Sequence, residues 1–300
     1  MGAAWAGHPS WQLVTELSDA TGTDLARLLT GATADELRST AKAQLATYTL
    51  STLVLDAVRR ALSPDGAPAQ LGPAKLVAAA GHSLGEYTAL VASGVLSPAE
   101  GALLVQARGR AMQAAADAHP GTMAAVLGLS LEEVAASCEE AEAWVANDNA
   151  PGQVVVAGTV TGVEEAGRTA LGRGAKRVIS LQVGGAFHSP LMAAAQQDLD
   201  AAVSAANFRT GVCPVVANVD AEPHTDGFAP LLSAQLCSRV RWRESLTALE
   251  ELGGHTFLEL GPGTELSGMV RRTLPEAARA NVATPDDIPL LEKALHDLAN

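Results

Sequence analysis

Apolar positions recur at helical spacing between Asp35 and Leu62, at Leu45, Leu50, Leu53, Val54, Ala57 and Val58. Ser63-Pro64-Asp65-Gly66-Ala67-Pro68 then predicts a surface loop that ends this helix. An unbroken apolar run, Leu76-Val77-Ala78-Ala79-Ala80, reads as a buried strand, and Glu86 to Ala92 reads as a helix after a short turn. Ser97-Pro98-Ala99-Glu100 is a capping box with proline at the first helical position, opening a helix to about Ala118 that carries Arg108 and Arg110. His119-Pro120-Gly121 stops it. The first thirty residues read as helix or loop, with no strand ahead of them.

The pattern then changes period. Met123 to Gly128 predicts a strand, Ser130-Leu131-Glu132-Glu133 caps a helix to about Ala143, and Trp144–Ala146 and Val154–Ala157 predict strands joined through Asn147 to Gly152. A helix over Val163–Arg173 and a strand over Lys176–Leu181 complete a β-α-β-β-α-β order, the ferredoxin-like pattern. Residues 117–184 therefore read as a small domain inserted in a larger one made of 1–116 and 185–300. In the returning part, Gly184 to Pro190 is a glycine-rich loop before a helix over Leu191–Ala206. A buried strand at Pro214–Val219, helices at about 227–238 and 242–252, a strand at Thr256–Leu260 and a helix from Gly263 through Arg272 follow. Beyond Pro275 the pattern is weak until a short helix near Leu290. Alternating strands and helices predict an α/β fold with a largely parallel sheet covered on both faces.

With 48% hydrophobic residues among 300, the chain can bury a sizeable core, and 3% aromatic content leaves Ala, Val and Leu to build it. A net charge of −13 argues against a nucleic-acid partner, and means that an acidic substrate needs a local basic site. Cys138, Cys213 and Cys237 lack metal-ligand or C-x-x-C spacing and read as small hydrophobes in a reducing compartment. No apolar run reaches the length of a membrane span, and no Lys or Arg precedes Arg27 to form a signal-peptide head. A cytoplasmic protein with no membrane partner is the expectation.

The chemistry is concentrated at Gly81-His82-Ser83-Leu84-Gly85. A G-x-S-x-G between a strand and a helix is the context of a nucleophile elbow, in which a tight turn holds the serine hydroxyl at its tip. A side chain at Gly81 or Gly85 is expected to collide with the neighbouring strand or helix. The N–H of Leu84, at a helix N-terminus, can stabilise negative charge developing on an acyl oxygen. A Gly/Ser turn of this pattern also occurs without function, and the flanking strand and helix favour the functional reading. Read alone, Arg108 is equally a solvated helix arginine, and His188 is one of seven histidines. His82, beside the serine, reads as packing at the elbow.

Five stretches in order carry a resemblance: Gly81-His82-Ser83-Leu84-Gly85-Glu86-Tyr87, Arg108-Gly109-Arg110-Ala111-Met112-Gln113, Asn149-Ala150-Pro151-Gly152-Gln153-Val154-Val155, Gly185-Ala186-Phe187-His188-Ser189 and Glu259-Leu260-Gly261-Pro262-Gly263. Together they resemble the malonyl-CoA:acyl carrier protein transacylases and the related acyltransferase domains of polyketide synthases. The resemblance implies an α/β-hydrolase-like large domain with a parallel sheet, plus the ferredoxin-like small domain. It implies that Ser83 carries the malonyl group, that His188 is the general base and acid, and that the backbone carbonyl of Gln235 orients His188 in place of a third acidic residue. Arg108 would hold the malonyl carboxylate through two parallel hydrogen bonds, which a neutral acyl group would leave unmade. Phe187 and Leu84 stand where the family's malonyl-selective members differ from methylmalonyl-selective ones, so malonyl is the expected unit. Malonyl-CoA is then the substrate and the phosphopantetheine thiol of an acyl carrier protein the acceptor, for fatty-acid or polyketide synthesis. No bound cofactor and no metal is implied. Arg173, Lys176, Arg177, Arg239, Arg241 and Arg243 are candidates for docking an acidic carrier, and read equally as solvated charges.

The chain departs from the family in two places. The opening strand and Gly-Gln-Gly-x-Gln loop, which supplies a second oxyanion donor, has no counterpart in these 300 residues. Gln44 matches a family active-site glutamine but is followed by Leu45 where the family has proline. Two other classes share parts of this pattern: a serine thioesterase or carrier-editing hydrolase, which has no need of Arg108, and an inactive carrier-binding subunit.

Overall fold

The computed structural model describes residues 1–63, 70–71 and 74–299. The loop expected at Ser63–Pro68 falls, from position 64, outside the described residues. The N-terminal part is helical: α1 (Gln12–Thr21), α2 (Leu25–Gly31) and α3 (Thr40–Leu62). α3 is the central post of the main core. Its apolar face explains this, since Leu53, Val54 and Val58 are fully buried and Leu50 and Ala57 nearly so. β1 (Gln70–Leu71) and β2 (Ala74–Lys75) form a minimal antiparallel pair, and β3 (Ala79–Ala80) leads into α4 (Gly85–Ala92). α5 (Pro98–Ala118) packs along α3 and opens as expected. Ser97 N–H donates to Glu100 Oε2 at 2.7 Å, and Glu100 N–H donates to Ser97 Oγ at 3.3 Å.

The small unit follows: β4 (Thr122–Leu127), α6 (Leu131–Cys138), β5 (Ala143–Ala150), β6 (Gln153–Gly158), α7 (Val160–Gly172) and β7 (Arg177–Ser180). Its sheet is antiparallel throughout, in the order β5-β6-β4-β7. Val126, Val154 and Val156 meet Val134 of α6 and Val163, Ala166 and Ala170 of α7 in a core of their own. One expectation fails here. Residues 147–150 are not a loop but the second half of β5, which turns into β6 through Pro151-Gly152. Two register shifts, between Val145 and Asn147 and between Asp148 and Ala150, carry the strand through this polar stretch. Asp148 and Asn149 each find a partner, Arg243 and His82. These two polar side chains are thereby satisfied inside the strand, while Asn147 Oδ1 is buried without a partner.

The chain returns through α8 (Ala193–Ala205), β8 (Val215–Val216), β9 (Pro223–His224), α9 (Phe228–Gln235), α10 (Trp242–Glu251), β10 (Thr256–Leu260), α11 (Glu265–Thr273), β11 (Ala278–Val282) and α12 (Ile288–Ala299). The fold is α/β with mixed sheets. The strands of the large part, expected in a largely parallel sheet, fall among the described residues into separate pieces. β3 pairs in parallel with β8, whose other edge carries β9 antiparallel, while β10 and β11 form a separate parallel pair. Among the described residues no strand bridges β3 and β10. A cavity of about 610 Å³ lies between them, lined by Ala78, Ala80, Leu258 and Leu260 with Ser51 and Leu55 of α3. Among the described residues the run Leu76–Ala80 pairs only at its last two residues, Ala79 with Val215 and Ala80 with Val216. The weakly patterned tail contains β11, for which its sequence carries no strand signal. Its register on β10 comes from pairing Thr256–Leu260 with Ala278–Val282, not from an apolar alternation of its own.

Candidate active site

The turn from β3 into α4 holds Ser83 in a left-handed conformation, φ +51°, which a non-glycine residue keeps only when its surroundings enforce it. They do. Ser83 N–H donates to Asn218 Oδ1 at 2.6 Å, and Asn218 Nδ2 donates to the Gly81 carbonyl at 2.8 Å. Gly81 is required sterically, since a Cβ there would lie 1.9 Å from the Gly85 carbonyl carbon. Gly85 is not: a Cβ at that position meets nothing within 4 Å, so the collision expected on that side is corrected to Gly81 alone. Leu84, half-buried against the main core, is the residue immediately ahead of α4, so its N–H sits at that helix's positive end. His82 packs beneath the elbow, with Nε2 2.8 Å from Asn149 Oδ1 and its ring edge-on to Trp242.

The glycine-rich loop before α8 delivers His188 to the serine, 105 positions away in sequence. Its backbone is also left-handed, φ +58°, and is braced by Ser189, whose hydroxyl donates to the Ala186 carbonyl at 2.6 Å. His188 Nε2 lies 2.7 Å from Ser83 Oγ, and Nδ1 lies 2.9 Å from the backbone carbonyl of Gln235. A carbonyl oxygen only accepts, so Nδ1 carries the ring hydrogen and Nε2 is left to take the serine proton. Burial, followed by the nearby Arg108 charge, lowers the His188 pKa to about 3. The imidazole is therefore neutral, and able to accept a proton, across the ordinary pH range.

Arg108, from the middle of α5, is 1% exposed. Nη2 donates to Ser83 Oγ at 2.9 Å and to Gln235 Oε1 at 3.1 Å, and Nη1 donates to Gln44 Oε1 at 2.6 Å. Among the described residues its Nε has no hydrogen-bond partner. Burial lowers the Arg108 pKa, and its neighbours Tyr87 and Glu86 oppose that. The Tyr87 ring centroid stands 5.8 Å from the guanidinium carbon. A buried guanidinium with a free N–H beside a nucleophilic hydroxyl is suited to an acyl group ending in a carboxylate. Four of the expected residues, Ser83, His188, Arg108 and Gln235, thus meet within one hydrogen-bonded cluster, and Gln44 joins them. Phe187 is half-buried between the main core and the cluster around Met123 and Ala186. Two contributors escaped the sequence reading. Asn218 lies inside the apolar run Pro214–Val219, and Glu86 lies one residue beyond the elbow glycine. A polar residue inside or opening an apolar stretch is the available signal for both.

The family model for the acyl transferase domain matches residues 11–299. The chain belongs to the acyl transferase domain family. This acyl transferase is 36% identical over 294 residues to a malonyl CoA-acyl carrier protein transacylase of Bacillus subtilis (strain 168), covering 95% of this chain and 89% of that one. Among solved structures it is similar to an acyl-carrier-protein S-malonyltransferase from Burkholderia pseudomallei 1710b, with a TM-score of 0.87, 34% identity and coverage of 98% and 94%. It is also similar to a malonyl-transacylase solved in complex with a type II PKS acyl-carrier protein, with a TM-score of 0.88, 32% identity and coverage of 99% and 94%. Within this acyl transferase the basic candidates divide. Arg239 and Arg241 pair with Glu244, and Arg243 pairs with the buried Asp148 at 2.9 Å. Arg173, Lys176 and Arg177 stand exposed at one end of the small sheet. Cys138 and Cys213 are buried and Cys237 is partly so, and burial raises all three thiols. No described helix is long and apolar enough to cross a membrane.

Proposed function

We propose that this chain transfers a malonyl group from malonyl-CoA to the phosphopantetheine thiol of an acyl carrier protein, through a malonyl ester on Ser83. The observation that carries this reading is Arg108: buried, bonded to the nucleophile's own oxygen, and left with an unpartnered N–H. Ser83 Oγ loses its proton to His188 Nε2 as it attacks the thioester carbonyl. The negative charge on the carbonyl oxygen falls toward the Leu84 N–H at the head of α4. Collapse breaks the C–S bond, and His188 returns the proton to the departing thiolate. In the second half, the carrier thiol gives its proton to His188, its sulfur attacks the ester, and Ser83 Oγ leaves with the proton. Each proton moves between Ser83, His188 and a thiol, so the route asks for no further group.

Arg108 holds the malonyl carboxylate in both halves. Because its Nη2 also touches Ser83 Oγ, the acyl group is anchored beside the atom it is transferred to. The architecture supporting the reading is an α/β-hydrolase-like part, residues 1–116 and 185–300, and a ferredoxin-like part, residues 117–184. The strand order β5-β6-β4-β7 with α6 and α7 packed together supports the second. Exposed Arg173, Lys176 and Arg177 are a surface for an acidic carrier. Intact-protein mass spectrometry after brief exposure to malonyl-CoA tests the reading. The expected result is one malonyl adduct, absent in Ser83→Ala and discharged by a phosphopantetheinylated carrier protein. An unmodified wild type, or an adduct that only water discharges, would overturn it.

A further inference from the structure

Among the described residues, Glu86 is the one buried carboxylate hydrogen-bonded to this cluster, and the transfer reaction does not use it. It is 1% exposed, on the first turn of α4. A single oxygen, Oε2, accepts two hydrogen bonds: from Gln235 Nε2 at 2.8 Å and from Asn218 N–H at 3.0 Å. The other oxygen has no partner. Both donors belong to residues that hold the reacting groups. Gln235 gives its backbone carbonyl to His188 Nδ1 and its side-chain carbonyl to Arg108 Nη2, while its Nε2 also donates to the Ser83 carbonyl at 3.1 Å. Asn218 holds the Ser83 N–H and the Gly81 carbonyl. Nucleophile, base and acyl anchor therefore share one point of attachment.

We propose that Glu86 is a positioning residue, whose Oε2 sets where Ser83, His188 and Arg108 meet by fixing Gln235 and Asn218. The inference rests on the transfer reaction proposed above for what that positioning serves. Its physical basis is that Gln235, the last residue of α9, is fully buried and reaches the active site with a side chain whose place is set by its hydrogen bonds. Without Oε2, one Nε2 hydrogen and the Asn218 N–H are left buried and unpaired, and both residues move to recover partners. A displacement of about 1 Å in such a constellation costs on the order of a hundredfold in rate.

The test compares wild type, Glu86→Ala and Glu86→Gln. Glutamine can keep an acceptor oxygen where Oε2 stands, and alanine cannot. Rapid-quench self-malonylation is measured for each, thermal melting checks the fold, and the downfield proton NMR signal of His188 Nδ1–H reports its bond to the Gln235 carbonyl. Glu86→Ala should acylate on the order of a hundredfold more slowly with KM changed little, and lose the downfield signal while folded. Glu86→Gln should restore both to within about threefold of wild type. An alanine variant that keeps wild-type rate and signal would overturn the proposal, as would a glutamine variant as slow as alanine. The Nδ1–H signal needs no acyl donor. A wild type that took no malonyl group would thus sink the functional reading, and the signal would still decide the role of Glu86.

Discussion

Replacing Arg108 by alanine removes the one buried cation bonded to the nucleophile, and its effect can be worked from the contacts. Malonyl offers its carboxylate to a guanidinium already aligned by Gln44 at 2.6 Å and Gln235 at 3.1 Å. Two charge-assisted hydrogen bonds at about 1.5–3 kcal/mol each give about 3–6 kcal/mol. At 1.4 kcal/mol per decade this is about two to four decades in kcat/KM for malonyl-CoA. Acetyl-CoA makes neither bond and in wild type leaves the Arg108 Nε buried and unpaired. Its own rate should therefore fall by no more than about tenfold, through the lost Nη2 contact to Ser83 Oγ. The malonyl-to-acetyl ratio should accordingly collapse by at least about tenfold. The assay is competitive: equal malonyl-CoA and acetyl-CoA, a brief reaction, and the two adducts counted by intact mass. A variant that lost rate equally toward both donors would refute the reasoning, because Arg108 would then serve only the serine.

Three other outcomes follow from the geometry. With His188 at about pH 3, self-malonylation of the free enzyme should hold through pH 6.5 and fall only as pH drops toward 3; half-maximal rate near 6.5 would show a solvated imidazole. Burial raises Glu86 to about 7, above an unfolded value near 4.5, so the folded state binds the extra proton and stability declines as pH rises through that window. Glu86→Gln should thus gain melting temperature over wild type at pH 8 relative to pH 4, by at most about 3 kcal/mol of stability, and a pH-independent difference would contradict the burial argument. Gly81→Ala should abolish adduct formation, because its Cβ would sit 1.9 Å from the Gly85 carbonyl carbon, while Gly85→Ala should acylate at near wild-type rate.

The order of elements was legible in the chain because each rests on local signals. The Ser97–Glu100 box, the period of α3 and the strand–turn–helix around Ser83 are all set by neighbours within a few residues. The elbow and its glycine at 81 could be named for the same reason, whereas the need for glycine at 85 depends on what stands near it, and nothing does. Ser83 stands out through its elbow, but Arg108, His188 and Gln235 take their roles only from a family resemblance. Spacings of 25, 105 and 152 residues leave no local trace of the bonds that join them. Glu86 and Asn218 went unread since their meaning lies in partners across the core: their side chains meet residues 149 and 135 positions away.

Sheet membership divides the same way. Apolar runs marked Leu76–Ala80 and Thr256–Leu260 as strands, but pairing is a relation between edges. Only the tertiary structure decided that β3 joins β8, that β10 joins β11, and that a cavity of about 610 Å³ parts them. By itself the sequence determined periodicity, caps, turns and the strained serine. The tertiary structure decided which distant side chains share hydrogen bonds with it, because those bonds form only when packing brings buried polar groups together and leaves them no water to choose instead.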